Sequence, residues 1–468
     1  MKYLLSGLLA LSTLACHAQA ISHGDRVYTA DQISNTVSVI DPVDNKLLGQ
    51  IILGKPQPDI LTPLYKGQAL VHGLGFAPDH KTLAVVSIGS NNVTFINPAT
   101  NAIKGSVYVG RAPHEPTFRP DGKQVWVTVR GEDYVSVIDV ATMRETRRVQ
   151  VPNGPGMVAF SPDGKLAFVC SSFSPELTVV DATTYKVVKR IPVASPFSPN
   201  IFATKDGQQV WFTHKDVGKV SVLDVKTLRI TKVLDTGPIT NHVTTLDTKL
   251  GKVAYVSVGG EDVVKVYSRE PGFKQLATIP VGALPHGIWS SGDASRVYVN
   301  LENGDSVVAI NTATNKVLAK VKVGQAPMAL VYVPNAVPAG SPAAANLGTQ
   351  LVEHPSVVRE LKPVNAGTAG GSLVLRSEGL VDLASFALRG LAPNADYDIY
   401  LSRAAQTPYS RDYSLLTVHT DAKGGAMAQT LGPVQAVPNA DLGISSKAYQ
   451  RVIVAAKAAG NAPVLVSE

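Results

Sequence analysis

The chain has 468 residues, enough for two or three domains with sizeable cores. Its composition, 45% hydrophobic and 17% charged with 39 Gly and 31 Pro, fits an ordered, turn-rich β protein and excludes a disordered one. The formal charge is +7 and the isoelectric point about 9.1, yet the basic residues are spread along the chain, the densest patch being MRETRRV at 143–149; a nucleic-acid binder concentrates its charge more than this.

Residues 1–20 read as an export signal: Lys2, the apolar run YLLSGLLALSTLAC, then AQA with cleavage expected after Ala20. The run is too short to span a membrane, and no later segment is long and apolar enough to do so. The expected location is therefore the periplasm or the exterior. STLAC, ending at Cys16, resembles a lipoprotein signal, but Thr13 stands where Leu is usual, so lipid anchoring through Cys16 is the lesser alternative. Cleavage at Ala20 leaves Cys170 as the one cysteine of the mature chain, so no internal disulfide is possible and stability must come from packing.

From here a repeat governs the sequence. An alternating strand occurs seven times: VSVID at 37, VTFIN at 93, VSVID at 135, LTVVD at 177, VSVLD at 220, VVKVY at 263 and VVAIN at 307. The spacings are 56, 42, 42, 43, 43 and 44 residues. A second motif precedes each copy but the first, as in GFAPDH, TFRPDG and AFSPDG. A period near 42 with four short strands per unit is that of a propeller blade, so seven blades are expected over 21–335. The series begins with a second strand, DRVYTA, and ends with a lone inner strand, MALVY. The last blade should thus take three strands from the N-terminal end and one from the C-terminal end, which closes the ring and removes an exposed edge. The turn residues Asp121-Gly122 and Asp163-Gly164, and the Asp that ends each VSVID, read as structural. Trp126, Trp211 and Trp289 read as core, and Cys170 as a buried small apolar residue.

NTVSVIDPVDNK and AFSPDGKLAFV resemble the YVTN-repeat β-propeller family over roughly 26–334. The resemblance implies the fold and an envelope or surface setting. It does not imply a chemistry, since structurally similar propellers serve quinoprotein dehydrogenases, copper or haem reductases and lactonases alike.

The stretch PNAVPAGSPAAANLG at 334–348 marks a linker, placed at 336–349. The alternating stretches of 350–468, broken by turns at LAPNADY and DAKGG, read as a small β-sandwich of the binding or spacing kind, with no catalytic motif. The fold class is all-β: a seven-bladed propeller followed by this sandwich.

Alignment of the blades places His72, His114, Gly156, Ser198, His242, His286 and Met328 in one column, at the entry to the innermost strands. These entries ring one mouth of the central channel. The loops between second and third strands open on the same face and add Arg130, Glu132, Asp133, His214, Lys215, Asp216, Glu261, Asp262 and Glu302. The ligand-binding candidates at this mouth are His72, His114, His242, His286, Arg130, His214, Lys215 and Glu302. The bland reading is that a histidine here bonds a neighbouring blade's backbone. The sharper one is that His72, His114, His242 and His286 hold Cu or Zn, as two pairs or as a subset with Glu115 or Glu302. Gly156, Ser198 and Met328 in the same column show that the blade does not require His there. The long first spacing adds KPQPDILTPLYKGQAL at 55–70, expected to overhang this mouth.

No G-x-S-x-G, H-E-x-x-H, P-loop or C-x-x-C-H motif is present. The leading expectation is a non-enzymatic, exported scaffold that binds a protein, glycan or small molecule through the histidine-lined mouth. The alternative is a metal- or cofactor-dependent enzyme, of oxidoreductase or lactonase type, using the same histidines. Export argues against a nucleic-acid partner.

Overall fold

The computed structural model describes residues 20–54, 69–342, 344–349, 356–377, 381–434, 436–437 and 449–468. The expected export signal, Cys16 and positions 55–68 of the long loop lie outside the described residues.

Seven four-stranded antiparallel sheets form the blades of a propeller. Blade 1 pairs the inner strand Pro327–Val333 with Arg26–Asp31, followed by Thr36–Asp41 and Lys46–Ile52. Blades 2 to 7 occupy 71–108, 113–150, 155–192, 201–235, 240–280 and 285–322. The closure is the expected one: Arg26 lies opposite Val333 and Val27 opposite Tyr332, so the two ends of the repeat series lock into one sheet.

Three strands of each blade are buried and the fourth alternates between exposed and half-buried, as in Lys186–Pro192. The reason is geometric. Blades stack face to face, so their inner strands are covered on both sides while the outer strand meets solvent. Trp126, Val135 and Val137 of blade 3 pack on Val158, Phe160 and Ala167 of blade 4. Each fully buried aliphatic or aromatic side chain of this kind stabilises the fold by about 1.5–3 kcal/mol. The Asp that ends the repeat strand turns the chain: Asp139 Oδ1 accepts the Thr142 N–H at 2.8 Å and its hydroxyl at 2.7 Å, and Asp224 does the same for Thr227 at 2.7 Å each.

Hydroxyls and an amide also tie blade to blade. Thr128 Oγ1 donates to Gly156 O at 2.8 Å, Thr213 Oγ1 to Asn241 O at 2.9 Å, Ser257 Oγ to His286 O at 2.6 Å and Asn300 Nδ2 to Ala329 O at 2.8 Å. Each runs from the second strand of one blade to the inner strand of the next.

The segment after the propeller is held against it. Gln50 and Gly348 form an isolated antiparallel bridge on the outer edge of blade 1, and Asn101 Nδ2 donates to Ala345 O at 2.9 Å. The C-terminal part, expected as a sandwich, is one antiparallel eight-stranded sheet in the order 413–419, 396–402, 451–456, 462–467, 357–363, 370–377, 382–389 and 426–432. Its two end strands, Tyr413–His419 and Ala426–Gly432, lie against each other, so the sheet curls into a nearly closed barrel around Leu373, Phe386, Ile399 and Val454.

This sheet docks on the mouth face of the propeller. Arg376 donates to Asp305 Oδ1 at 2.9 Å and Glu302 O at 3.3 Å, Arg389 to Asp262 Oδ2 at 2.9 Å, and Lys423 to Gly218 O at 2.9 Å. Ile239, Leu284 and Ala387 form an apolar patch between the polar contacts. The covered side is that of blades 5 to 7.

Candidate functional site

The four histidines of the column converge. The rings of His72 and His114 lie 4.6 Å apart, those of His242 and His286 4.7 Å apart, and His72 and His286 approach to 6.5 Å across the position of Met328. The two pairs therefore form one continuous arc around the channel rather than isolated couples. All four are buried, between 3% and 6% exposed.

Their hydrogen bonds follow a rule. His114 Nδ1 meets Gly156 O of the next blade at 2.7 Å, and His286 Nδ1 meets Met328 O of the next blade at 2.9 Å. His72 Nδ1 meets Gln32 Oε1 of blade 1 at 2.8 Å. A carbonyl oxygen only accepts, so each of these Nδ1 atoms carries the proton and each Nε2 keeps its lone pair. The blade-welding role expected of a column histidine is thus filled by Nδ1, and Nε2 is left over. Gly73 and Gly287, next to His72 and His286, let the neighbouring inner strands come this close: a Cβ at Gly73 would sit 2.2 Å from His114 O, and one at Gly287 2.5 Å from Met328 O.

Burial dominates the acid–base behaviour. It pushes the imidazolium of His72 and of His242 down to about 3, and those of His114 and His286 well below the usual value, so the arc is neutral at pH 7. Nearby positive charges, Arg130 for His72 and His114 and Lys215 for His72, His242 and His286, act in the same direction.

Glu115 follows His114 and is 3% exposed. Burial raises its carboxyl well above the usual range, against a smaller opposing effect of the Leu74 backbone. In a regular strand Glu115 and His114 would point to opposite faces. Here the register between this strand and its partner shifts between Pro113 and Pro116, a β-bulge, and ligand atoms of His72, His114 and Glu115 all come within 4.8 Å of one another. Blades 2, 4, 6 and 7 carry the same register shift at the column position. A small cavity lined by Leu74, Glu115, Met157, Asn200, His242 and Ile288, among others, has room for about one water.

The mouth above is basic. The Arg130 guanidinium lies 5.4 Å from the centroids of both Phe173 and Phe197, and its buried Nε has no hydrogen-bond partner. Among the described residues no carboxylate comes within ion-pairing distance of it, and burial lowers its pKa. Lys215 is half-buried, and its ammonium is disfavoured first by burial, is supported by Glu302 and is opposed by Arg130. Glu302 is 7% exposed; its Oε2 has no partner and burial raises its pKa, with Lys215 and Arg376 opposing.

The remaining sequence candidates are placed elsewhere. His214 is fully buried between Ser198 Oγ at 2.9 Å and Ser221 Oγ at 2.7 Å, so both ring nitrogens are engaged within the blade. Asp262 is engaged by Arg389 and Glu261 by Lys265, while Glu132 lies 3.8 Å from Arg111. The aromatic flanks of Arg130, Phe173 and Phe197, and the anchor Gln32 carried no pattern that singled them out in the sequence. Cys170 is buried, as expected, and its thiol is pushed up to about 12 by burial.

Comparisons with known proteins agree with the fold. Residues 109–203 match a family model described as a YNCE-like beta-propeller, in keeping with the resemblance to YVTN-type repeats. No curated protein matches the chain. Among solved structures, a chain of hydrazine synthase from Kuenenia stuttgartiensis is similar at 20% identity with a TM-score of 0.52, covering 57% of this chain and 90% of its own. A protein of unknown function from Desulfotomaculum acetoxidans DSM 771 is similar at 11% identity with a TM-score of 0.56, covering 65% of this chain and 98% of its own. At these identities the likeness is one of fold. The protein is a seven-bladed β-propeller that carries an additional eight-stranded antiparallel domain, and no helix among the described residues is long and apolar enough to cross a membrane.

Proposed function

We propose that the protein is an exported ligand-binding propeller whose mouth takes a small anionic molecule, with Arg130 and Lys215 as the charged contacts and the histidine arc as the floor. The export part rests on the character of residues 1–20. The anionic part rests on one observation: Arg130 is held between two aromatic rings, and its buried Nε has no hydrogen-bond partner among the described residues. A guanidinium kept half-desolvated and without a carboxylate is costly unless something else supplies the acceptor. Lys215 lies near enough to Arg130 for their charges to oppose each other, and the buried Glu302 partly offsets Lys215. Arg suits carboxylate and phosphate because its fork makes two parallel hydrogen bonds.

The test is binding of inorganic phosphate, succinate and a uronic acid to the full mature chain, by calorimetry and thermal shift. At least one should bind, and Arg130→Met should weaken it by tenfold or more with the fold intact by circular dichroism. Binding of neutral molecules alone, or anion affinity unchanged in Arg130→Met, overturns this reading. An enzymatic reading keeps a claim of its own because two imidazoles and a carboxylate meet beneath the mouth. Turnover of the bound anion, lost in Glu115→Gln, would favour it.

A further inference from the structure

We infer that His72, His114 and Glu115 form a site for one divalent transition-metal ion of the zinc class, set in the channel one layer below the mouth. This inference does not rest on the anionic-ligand reading.

Three independent features converge on it. The first is the donor set: two imidazoles and a carboxylate, with ligand atoms within 4.8 Å of one another. Two His and one Glu is a known donor set for zinc with a fourth position left open. With metal–ligand bonds of about 2.0–2.2 Å, closing this set around an ion asks for a contraction of roughly 1 Å, within the reach of small side-chain rotations.

The second feature is orientation. His72 and His114 each commit Nδ1–H to a carbonyl oxygen, Gln32 Oε1 and Gly156 O. Outer partners of this kind fix ring tautomer and direction around metal ions. The proton sits on the atom that faces the protein, and the lone pair on the atom left for a ligand. The rings need no tautomer change to bind.

The third feature is the bulge. The shift between Pro113 and Pro116 puts Glu115 with His114 instead of on the opposite face. This buried carboxyl lies beside Leu74, Met157, Ile288, Asn200 and His242 and is met by the Leu74 backbone N–H, and no cation forms an ion pair with it among the described residues. A cation at this place would let the carboxyl ionise in spite of its burial. The same register shift recurs in blades 2, 4, 6 and 7, so what is particular to blade 3 is a carboxylate at that place.

His242 and His286 do not join this set: no ligand atom of either completes a trio at that distance among the described residues. Of the alternatives the sequence offers, two histidine pairs or a subset with Glu115 or Glu302, the geometry favours the subset with Glu115.

The experiment uses the full mature chain, stripped with chelator and refolded in the presence of Co²⁺ or Zn²⁺ so that the buried channel is loaded during folding. One equivalent of Co²⁺ is expected, with the visible absorption of a low-coordinate N/O site. Glu115→Gln should weaken binding by more than tenfold. His114→Asn is the second variant, because its side-chain N–H can replace the Nδ1–H bond to Gly156 O while removing Nε2; it should fold and fail to bind. His286→Asn and Arg130→Met should bind metal as the parent does, which separates this site from the mouth. Absence of bound metal after refolding, or Co²⁺ spectra unchanged in both Glu115→Gln and His114→Asn, overturns the inference.

Discussion

Replacing Arg376 by Met tests how firmly the C-terminal domain is fixed over the mouth. Arg376 and Asp305 have side chains 2% and 6% exposed and meet at 2.9 Å. Arg376 also donates to Ser356 Oγ at 3.1 Å and Glu302 O at 3.3 Å. Methionine fills a similar volume, so the loss is electrostatic rather than a cavity. It leaves Asp305 buried with the Ser356 hydroxyl and the Ala326 N–H, the latter at 3.0 Å, as its remaining donors. Breaking a buried pair from one side costs about 3–5 kcal/mol, because the surviving charge keeps its desolvation penalty. Burial alone would raise the Asp305 carboxyl, yet Arg376, Ser356 and Ala326 together hold it below the usual range. The pair's contribution is therefore present above the ordinary carboxylate value and is lost as the pH falls through the lowered native one. The assay is urea unfolding at pH 7 of the parent, Arg376→Met, Asp305→Asn and the double variant. The coupling in that cycle should exceed about 1.5 kcal/mol. A cost below about 1 kcal/mol for Arg376→Met, with coupling near zero, would refute the view that this pair anchors the domain.

Two further outcomes follow from the same physics. Asp206 is bound by Lys252 and Arg269, each at 3.0 Å; burial alone would raise its carboxyl, but Thr204, Gln208 and these cations outweigh that and hold it well below the usual value. Stability from this network is present above the ordinary Asp value and lost as the pH falls through the native one, so Asp206→Asn should flatten the acid limb of a melting-temperature-versus-pH curve. Cys170, buried with its thiol pushed up to about 12, should not react with a disulfide reagent in the native protein and should react fully in denaturant; rapid native labelling would contradict its placement.

Much of the propeller is legible because its grammar is local. A seven-fold strand motif, a turn-forming Asp and a PDG-type turn recur with a period set by blade size, and the out-of-phase ends of the series imply the closure that Arg26 and Val333 make. The histidine column is legible for the same reason, since equivalent positions of a repeat become neighbours around an axis. What lies between domains is not periodic and was not legible. Arg376 with Asp305, Arg389 with Asp262 and Lys423 with Gly218 join residues 71, 127 and 205 positions apart, and nothing in either partner's local pattern announces the other. The C-terminal sheet shows the same limit: alternation gives the strands, but not that Val357–Pro363 pairs with Ala462–Ser467 and makes one curled sheet of eight. Glu115 falls between these cases. Proximity to His114 nominates it, while strict alternation would turn it away from the channel, and only the bulge reverses that.

The column histidines show why the bland and the sharp reading of this sequence are not exclusive. An imidazole has two nitrogens. In His114 and His286 one is used up in holding the next blade through a backbone carbonyl, which is reason enough for a propeller to keep a histidine there. The same bond fixes the tautomer and leaves the second nitrogen with its lone pair, and the neighbouring blade's histidine arrives within 5 Å ring to ring. Substitution by alanine removes both functions and cannot tell them apart. Asparagine preserves the first and deletes the second, so His114→Asn and His286→Asn should both keep the ring of blades closed. The difference between them then reports chemistry alone: loss at His114 with retention at His286 locates the function in the blade 2–3 half of the arc, beside Glu115, where the carboxylate is.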